Sequence, residues 1–320
     1  VLLYGGCQPE KEDQLDLLYK YYSDKLEETY FNDPTLRLTP APLLNDPFEK
    51  IVPKELITST QDEFCNNHNL VDDIESGTFF NALNYELNIK LCGIVSLSET
   101  PRNILMWAHY ANQHKGICIG YKSIKIKPTK KEKHAIIPHT TKPLKINYDK
   151  IRFDLEIDKF NENNRMRSII KKSLSTKSDD WMYEKEHRYI IPITECDSVK
   201  YIGKDEINED YSYFLSKRQG KDEKNLYELN NKIDRSEAAN ILALDNDLIF
   251  QKEIKKSDIA SIYFGYRIDQ PYKLRILNVL KLDPILKNIK VYQLEAHSNN
   301  FEFTARPVDI ENEQLNFFPT

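Results

Sequence analysis

The clearest pattern of apolar and polar positions lies near the middle of the chain, at residues 181–193. β-Branched and aromatic residues that end at Pro192 predict a strand running into the core. Because strand side chains alternate between two faces, Glu184, Glu186 and Arg188 are expected on one face, about 6.6 Å apart along the strand. At that spacing they can bind one ligand or shift one another's pKa. The pattern predicts either an active-site strand or an edge strand whose charged ladder prevents aggregation.

Compact apolar or alternating runs predict further strands along the chain. These runs occupy residues 36–39, 92–97, 117–121, 143–148, 261–267, 289–294 and 301–305. The last run is expected to pair with the one before it across a turn at residues 298–300.

Helical periodicity is found in several longer stretches. These stretches occupy residues 12–30, 54–75, 78–90, 101–113, 155–174 and 272–282. The first allows two interpretations, a single amphipathic helix or a short strand at residues 17–22 followed by a helix. Helix starts are expected at Asp46 with Pro47 after it, and at Thr100 with Pro101 after it, because such residues cap helix N-termini.

The order of these elements predicts the fold class. Strands and helices are mixed without regular alternation, which favours an α+β fold with mixed or antiparallel sheets flanked by helices, not a doubly wound nucleotide-binding fold. We expect one domain over residues 1–320. Within it, residues 203–236 are polar and weakly periodic, and they predict a helical or mobile insertion.

An aromatic stripe marks the helix predicted at residues 101–113. Trp107, Tyr110 and His114 follow one another at spacings of three and four residues, which places them on one helical face. Such a stripe is typical of core packing, with the histidine hydrogen-bonded at its edge. The alternative is a platform for a nucleotide or nicotinamide ring.

Composition limits the classes of function. Hydrophobic residues make up 40% of the 320 residues and aromatic residues 11%, enough for a packed core. The net charge of −5 gives no general attraction to nucleic acid or anionic lipid, so any such contact would be local. With nine glycines and neither a G-x-G-x-x-G nor a G-x-x-x-x-G-K-S/T motif, glycine-rich phosphate loops are excluded.

The spacing of the cysteines and histidines and the lack of long apolar runs predict where in the cell the protein is found and whether it binds a metal. The five cysteines include no C-x-x-C pair, which favours a reduced cytoplasmic protein. The seven histidines show no H-E-x-x-H spacing, so no metal site is expected. No apolar run approaches the roughly 18 residues of a membrane span, and no secretory leader is expected. The first residue is Val, which leaves the native N-terminus open.

Several motifs together resemble the bacterial domain-of-unknown-function family 2971. In chain order they are Leu18-Tyr-Lys-Tyr21, Asn45-Asp-Pro-Phe-Glu49, Met106-Trp-Ala-His-Tyr-Ala-Asn-Gln-His-Lys-Gly-Ile-Cys118, Lys177-Ser-x-x-Trp-x-Tyr-Glu-Lys-Glu-His-Arg188 and Ile262-Tyr-Phe-Gly265. They span nearly the whole chain. The resemblance implies a bacterial or phage-borne, intracellular protein and no particular activity.

Two short motifs also resemble the ADP-ribosyltransferases. Glu184-x-Glu186 is similar to their E-x-E motif, in which the second glutamate is catalytic. Ser96-Leu-Ser98 is similar to the serine-containing strand of their NAD site. The opening strand departs from that family, because the expected Arg or His is missing. The residues that stand in its place are Tyr19, Lys20 and Tyr21.

The second resemblance implies a mechanism for cleaving NAD. Breaking the nicotinamide–ribose bond develops an oxocarbenium ion, which Glu186 would stabilise while it holds the 2′-hydroxyl. Glu184 would orient or deprotonate the acceptor nucleophile. Arg188 would keep both glutamates ionised and contact a phosphate.

Aromatic and polar groups would hold the rest of the NAD molecule. Trp107 and Tyr110 are expected to hold the nicotinamide ring, with His109 or His114 on the ribose or diphosphate. The full set of expected NAD-binding residues is Tyr19, Tyr21, Asn45, Asp46, Phe48, Ser96, Ser98, Trp107, His109, Tyr110, His114, Lys177 and Arg188.

The residues support three hypotheses about function. The first is an NAD-using transferase or NAD glycohydrolase, acting as a toxin or anti-phage effector on a protein or nucleic-acid acceptor. The second is a metal-dependent nuclease or nucleotide hydrolase that uses the same carboxylates. The third is a binding or sensor module in which Trp181 and Tyr183 lie in the core and Glu186 pairs with Arg188. The oligomeric state is left open.

Overall fold

The structure is a computed structural model that describes seven stretches of the chain. They are residues 17–51, 85–122, 124–127, 136–151, 165–218, 225–230 and 233–311. The strands are β1 (Leu17–Tyr22), β2 (Thr35–Pro40), β3 (Cys92–Ser98), β4 (Ile117–Lys122), β5 (Leu144–Lys145), β6 (Asn147–Tyr148), β7 (Thr176–Lys177), β8 (Glu186–Pro192), β9 (Ser198–Tyr201), β10 (Leu215–Lys217), β11 (Leu226–Leu229), β12 (Leu248–Glu253), β13 (Ile259–Phe264), β14 (Lys290–Ala296) and β15 (Phe303–Pro307). The α-helices are α1 (Ile104–Tyr110), α2 (Arg165–Leu174), α3 (Arg235–Leu242) and α4 (Gln270–Leu282), and residues 85–89 are also helical.

Thirteen of the described strands form one mixed sheet. Its order is β10-β11-β9-β12-β2-β3-β1-β4-β13-β14-β15, and β8 and β5 extend it beside β3. Only the β13–β14 pairing in this sheet is parallel among the described strands. A separate parallel pair joins β6 to β7. The α+β class predicted from the sequence, with a mixed sheet and helices, is therefore confirmed.

The sheet forks at β3. One edge of β3 pairs with β8 over seven residues, from Cys92 to Ser98. The other edge pairs with β2 at its beginning, where Ile94 faces Thr39, and with β1 at its end, where Ser98 faces Tyr19. Because β1 and β2 diverge between these two points, the middle of β3 has an open edge.

The two faces of β3 and β8 lie in different surroundings. Residues such as Val95 and Ile191 belong to the large core of the molecule. On the opposite face, Cys92, Ile94 and Ile190 pack with α2 in a smaller core. That face becomes polar toward the other end of both strands. There Ser96 lies opposite Arg188 and Ser98 opposite Glu186.

The central strand differs from the one predicted over residues 181–193. It begins only at Glu186, because residues Asp179–Glu184 form a 3₁₀ helix whose start is capped by the Ser178 side chain. Lys185 joins the two elements with a left-handed backbone, φ 45°. All residues of β8 are buried, so the interpretation as an exposed edge ladder is wrong.

The predicted helix at residues 101–113 is shorter than expected. Asn103, not Thr100, caps α1, because the Asn103 side chain accepts hydrogen bonds from the backbone N–H groups of residues 105 and 106. After Tyr110 the chain turns through three residues of positive φ, the last of which is His114. Trp107, Tyr110 and His114 therefore do not share a helical face.

Other predictions differ from the structure in smaller ways. Residues 17–22 form a strand, and residues 28–31 form only a short 3₁₀ helix after it. The strand predicted at 143–148 is divided into β5 and β6. Described residues of the segment 203–236, for which a helical or mobile insertion was predicted, include a 3₁₀ helix at Glu209–Tyr213 and the strands β10 and β11, which extend the sheet. The helix predicted at 54–75 lies outside the described residues.

Most of the remaining strand and helix predictions are confirmed. These are β2, β3, β4, β13, β14, β15 and α4, together with the antiparallel pairing of β14 and β15. Asp46 also caps a short helix that begins at Pro47, as expected. In the described part of the chain, no helix has the length and apolar character needed to cross a membrane.

A glycine beside the fork gives a test of the packing. A Cβ atom on Gly116 would lie 2.0 Å from the carbonyl oxygen of Tyr22, an atom of the β1 backbone. Since backbone cannot rotate aside, we expect Gly116→Ala to lower the free energy of unfolding by about 3 kcal/mol. Urea denaturation measures the loss.

Gly203→Ala is the matched control. The three nearest atoms to its Cβ would all belong to the Tyr201 side chain, which can rotate away. We expect a clearly smaller loss of stability, and equal losses in the two variants would contradict the packing described for Gly116.

Candidate functional site

A cavity of about 260 Å³ lies in the fork of the sheet. Residues of β1 and β2 line its two sides, β3 and β8 line its wall, and Lys177 and Tyr110 also border it. We call this space the inner cavity. Its position follows from the open edge of β3 and from the polar end of the β3–β8 face.

Arg188 is the central charge of the inner cavity, and its side chain is only 1% exposed. Its Nε and Nη2 donate to the two carboxylate oxygens of Glu186 at 2.7 and 2.8 Å. Nη2 also donates to Glu49, and Nη1 donates to the Leu174 carbonyl at 3.1 Å. This bidentate arrangement holds carboxylates from two distant parts of the chain in fixed positions.

Lys177 forms a second ion pair beside the first. Its Nζ donates to Glu184 Oε2 at 2.6 Å and lies 3.5 Å from Glu186 Oε2. The same ammonium lies 4.4 Å from the centre of the Trp181 ring, at cation–π distance. One cation therefore bridges both glutamates of the E-x-E motif.

The two glutamates differ in their affinity for a proton. Burial alone would raise the pKa of Glu186, but Arg188 and Lys177 outweigh it and lower that pKa to about 2. Burial raises the pKa of Glu184, and Lys177 offsets only part of the effect. Glu186 is therefore a fixed anion at neutral pH, and Glu184 is the better proton acceptor.

Backbone contacts place Glu184 although it lies outside the strand. Ser98 Oγ donates to the Glu184 carbonyl at 2.7 Å, and Asn103 Nδ2 donates to the Tyr183 carbonyl at 2.8 Å. The Tyr110 hydroxyl donates to Glu184 Oε1 at 2.5 Å. Burial and the Glu184 charge raise the pKa of Tyr110, so this hydroxyl stays protonated.

A larger groove of about 590 Å³ adjoins the inner cavity. Asn45 and Tyr110 border both spaces, and Asn45 Nδ2 lies 3.5 Å from the Tyr110 hydroxyl. Aromatic rings of Phe48, Trp181 and Tyr183 contribute to the groove lining. We call this space the outer groove.

The structure brings most of the expected site residues together. Those in the inner cavity are Tyr19, Tyr21, Asn45, Ser96, Ser98, Tyr110, Lys177, Glu184, Glu186 and Arg188. Those in the outer groove are Asn45, Asp46, Phe48, His109 and Tyr110.

Trp107 and His114 lie apart from both spaces. Trp107 is fully buried, its Nε1 donates to the Pro101 carbonyl at 2.7 Å, and its ring packs edge-on against Tyr21. His114 leaves the helix and packs against Phe303. Trp107 therefore offers no ring surface to either space.

Several lining residues were not among the site residues expected from the sequence. They are Arg37, Thr39, Glu49, Trp181 and Tyr183. Arg37 and Thr39 alternate with buried leucines on β2, so strand periodicity alone places them together. Trp181 and Tyr183 are only partly buried, which differs from the core position that the binding-module hypothesis assumed. The pairing of Glu186 with Arg188 in that hypothesis is observed.

The carboxylates of the site already have donors. Each oxygen of Glu184 and Glu186 accepts a hydrogen bond from Tyr110, Lys177 or Arg188. Within the described ranges, no group of three or more His, Cys, Asp or Glu side chains is arranged to hold a metal ion.

Comparison with protein families identifies part of this site. Residues 106–189 match the family described as "Protein of unknown function (DUF2971)". The resemblance to this family predicted from the motifs is thereby confirmed for that segment. The DUF2971 segment carries Tyr110, Lys177, Glu184, Glu186 and Arg188, whereas β1 and β2 precede it. Comparisons with the curated proteins and with the solved structures found no match.

The buried charges give a test of what holds the site together. Arg188→Met would leave Glu186 and Glu49 without their guanidinium partner, and breaking a buried pair in this way costs about 3–5 kcal/mol. We expect a loss of that size in the free energy of unfolding, measured by urea denaturation at neutral pH.

Glu49→Gln is the comparison variant. The Glu49 carboxylate has one oxygen without a hydrogen-bond partner among the described residues, and burial raises its pKa. A neutral amide of the same shape should cost much less than the loss of Arg188. A larger loss in Glu49→Gln than in Arg188→Met would contradict the central role of the guanidinium.

Proposed function

We propose that the protein cleaves the nicotinamide–ribose bond of NAD, as an NAD glycohydrolase or an ADP-ribosyltransferase-like enzyme. The observation that supports this best is the pair of glutamates with opposite proton affinity on one wall of the inner cavity. Glu186 has a lowered pKa and Glu184 a raised one. Reactions at a glycosidic carbon use two carboxylates in two such roles.

Glu186 supplies the fixed negative charge in this mechanism. As the bond to nicotinamide breaks, positive charge develops on the ribose, and a preorganised anion stabilises it without reorganising at the moment of reaction. The bidentate contact with Arg188 keeps Glu186 ionised and in place.

Glu184 accepts the proton of the attacking nucleophile. That nucleophile is water in the glycohydrolase and a hydroxyl or other group of a protein or nucleic acid in the transferase. A carboxylate with a raised pKa is a stronger base near neutral pH. Lys177 and Tyr110 hold its two oxygens and orient the group.

The two adjoining spaces suit a ligand in two parts. Small-molecule sites are typically about 300–1,000 Å³, so the inner cavity of about 260 Å³ fits only part of a dinucleotide. The outer groove, with Phe48, Trp181 and Tyr183, offers aromatic surface for a ring of the other part.

The arrangement of the strands also fits the ADP-ribosyltransferase resemblance. The serine-containing strand β3 is paired with β8, and Ser98 lies directly opposite Glu186. By contrast, the nuclease hypothesis needs carboxylate oxygens that are free to bind a divalent ion. The buried cations Lys177 and Arg188 already neutralise Glu184 and Glu186, and a divalent ion would have to compete with them, which favours the NAD proposal.

Nicotinamide release from NAD by the purified protein tests the proposal, with cell extract added to supply an acceptor. We expect Glu186→Gln and Glu184→Gln to lower kcat/KM by at least about 100-fold, the usual effect of removing a catalytic electrostatic or proton-transfer group. Both variants must still unfold cooperatively, which circular dichroism measures.

Glu99→Gln is the matched control. Glu99 is an ion-paired glutamate next to the same strands, bonded to His187 and Lys145, and it does not line the inner cavity. We expect its kcat/KM to stay close to that of the unmodified protein. No release of nicotinamide by the unmodified protein, with or without extract, would leave the binding-module hypothesis in its place.

A further inference from the structure

The mouth of the inner cavity carries two positive charges that have no carboxylate partner among the described residues. Lys20 on β1 and Arg37 on β2 both line the cavity, one on each arm of the fork. The Lys20 ammonium donates to the Ser96 carbonyl at 3.2 Å, on the open edge of β3. Neither side chain forms an ion pair with a described residue.

The other charged side chains of the cavity are two cations and three carboxylates, and they pair with one another. Arg188 pairs with Glu186 and Glu49, and Lys177 pairs with Glu184. Lys20 and Arg37 bring the lining to four cations and three carboxylates, one positive charge in excess, and neither of the two forms an ion pair with a described residue.

The Arg37 guanidinium disfavours the charge of Lys20. Burial and the nearby Arg37 guanidinium together lower the pKa of Lys20 to about 8, with only Glu186 opposing them. Two cations that line one cavity without an ion-pair partner of their own are unfavourable, and an anionic group placed between them removes that cost.

We propose that Lys20 and Arg37 form a phosphate subsite, which makes the ligand of the inner cavity a phosphorylated ribose compound. The inference rests on the proposed function for the reaction at the ribose, and it adds the group by which the ligand is held. Arg and Lys side chains are the usual partners of phosphate in proteins. The phosphate lies at the mouth of the fork, and the ribose lies deeper, beside the glutamates.

Glu49 supports the ribose half of this proposal. Its side chain is 2% exposed, it lines the inner cavity, and its Oε2 has no hydrogen-bond partner among the described residues. A buried acceptor without a donor is costly. A sugar hydroxyl supplies that donor.

Calorimetric titration with ADP-ribose, adenosine and inorganic pyrophosphate tests the subsite. We expect ADP-ribose to bind more tightly than either of the other two probes. Lys20→Met and Arg37→Gln should each weaken ADP-ribose binding by about 10- to 100-fold, the range expected for one charged hydrogen bond, and should leave adenosine binding unchanged. Arg37 is exposed, so its variant tests the subsite even if Lys20→Met unfolds.

Lys122→Met is the matched control for charge. Lys122 is an exposed residue of β4, the neighbour of β1, and it lies outside the cavity. Its variant should bind ADP-ribose as the unmodified protein does. An equal loss in Lys122→Met would mean a general effect of net charge and would overturn the subsite. Equal affinities for pyrophosphate and ADP-ribose would overturn the ribose half.

The pH dependence gives a second readout. Lys20 loses its charge near pH 8, so ADP-ribose should bind more weakly as the pH rises through that value. The groups that face Lys20 are Arg37 of β2, Glu186 of β8 and the Ser96 carbonyl of β3. Lys20→Met should not show this change, and an identical pH profile in both proteins would overturn the role of Lys20.

These results separate the subsite from the proposed reaction. Weakened ADP-ribose binding in the two variants, without any release of nicotinamide from NAD, would support the subsite and overturn the reaction. If the unmodified protein releases nicotinamide and the two variants keep its KM, the reaction stands and the subsite is overturned.

Discussion

The site depends on a guanidinium held almost completely out of water. Arg188 carries a full charge in surroundings where an unpaired charge would be prohibitive, so the fold must bring carboxylates to it. Glu186 comes from the same strand, and Glu49 comes from the segment after β2. Their contact joins two parts of the chain that are far apart in sequence. It also decides which glutamate of the E-x-E motif is permanently ionised.

The pairing register of β3 and β8 determines where the polar end of the sheet lies. Cys92 and Ile94 pack in the smaller core, and the same face then turns into serine, arginine and glutamate positions. A shift of one residue would turn Arg188 toward the large core and place His187 or Tyr189 opposite Ser96 beside the cavity. The apolar half of each strand therefore holds the polar half in place.

Local sequence patterns gave the strands that build the fork and the α+β class, because period-two alternation and capping residues are local properties. They also singled out Glu184, Glu186 and Arg188, although for a partly wrong reason. Glu184 is the last residue of a 3₁₀ helix, and Lys185, which has a left-handed backbone, separates it from β8. The alternation of side chains along a strand therefore does not explain why Glu184 lies in the cavity. Trp107 was expected to hold a ligand ring because residue spacing does not show whether a helical face is buried or open. In the structure its side chain is fully buried. Contacts between distant segments, such as that of Arg188 with Glu49, have no local pattern.

The inner cavity is assembled from two separate stretches of chain. The DUF2971 segment contributes the charged residues Lys177, Glu184, Glu186 and Arg188, while β1, β2 and β3, which precede that segment, contribute the arms of the fork and its serines. The ion pairs of Glu184, Glu186 and Glu49 with Lys177 and Arg188 do not involve side chains of β1 or β2. Substitutions in the arms of the fork can therefore change the size and charge of the entrance without disturbing the ion pairs of Arg188 and Lys177.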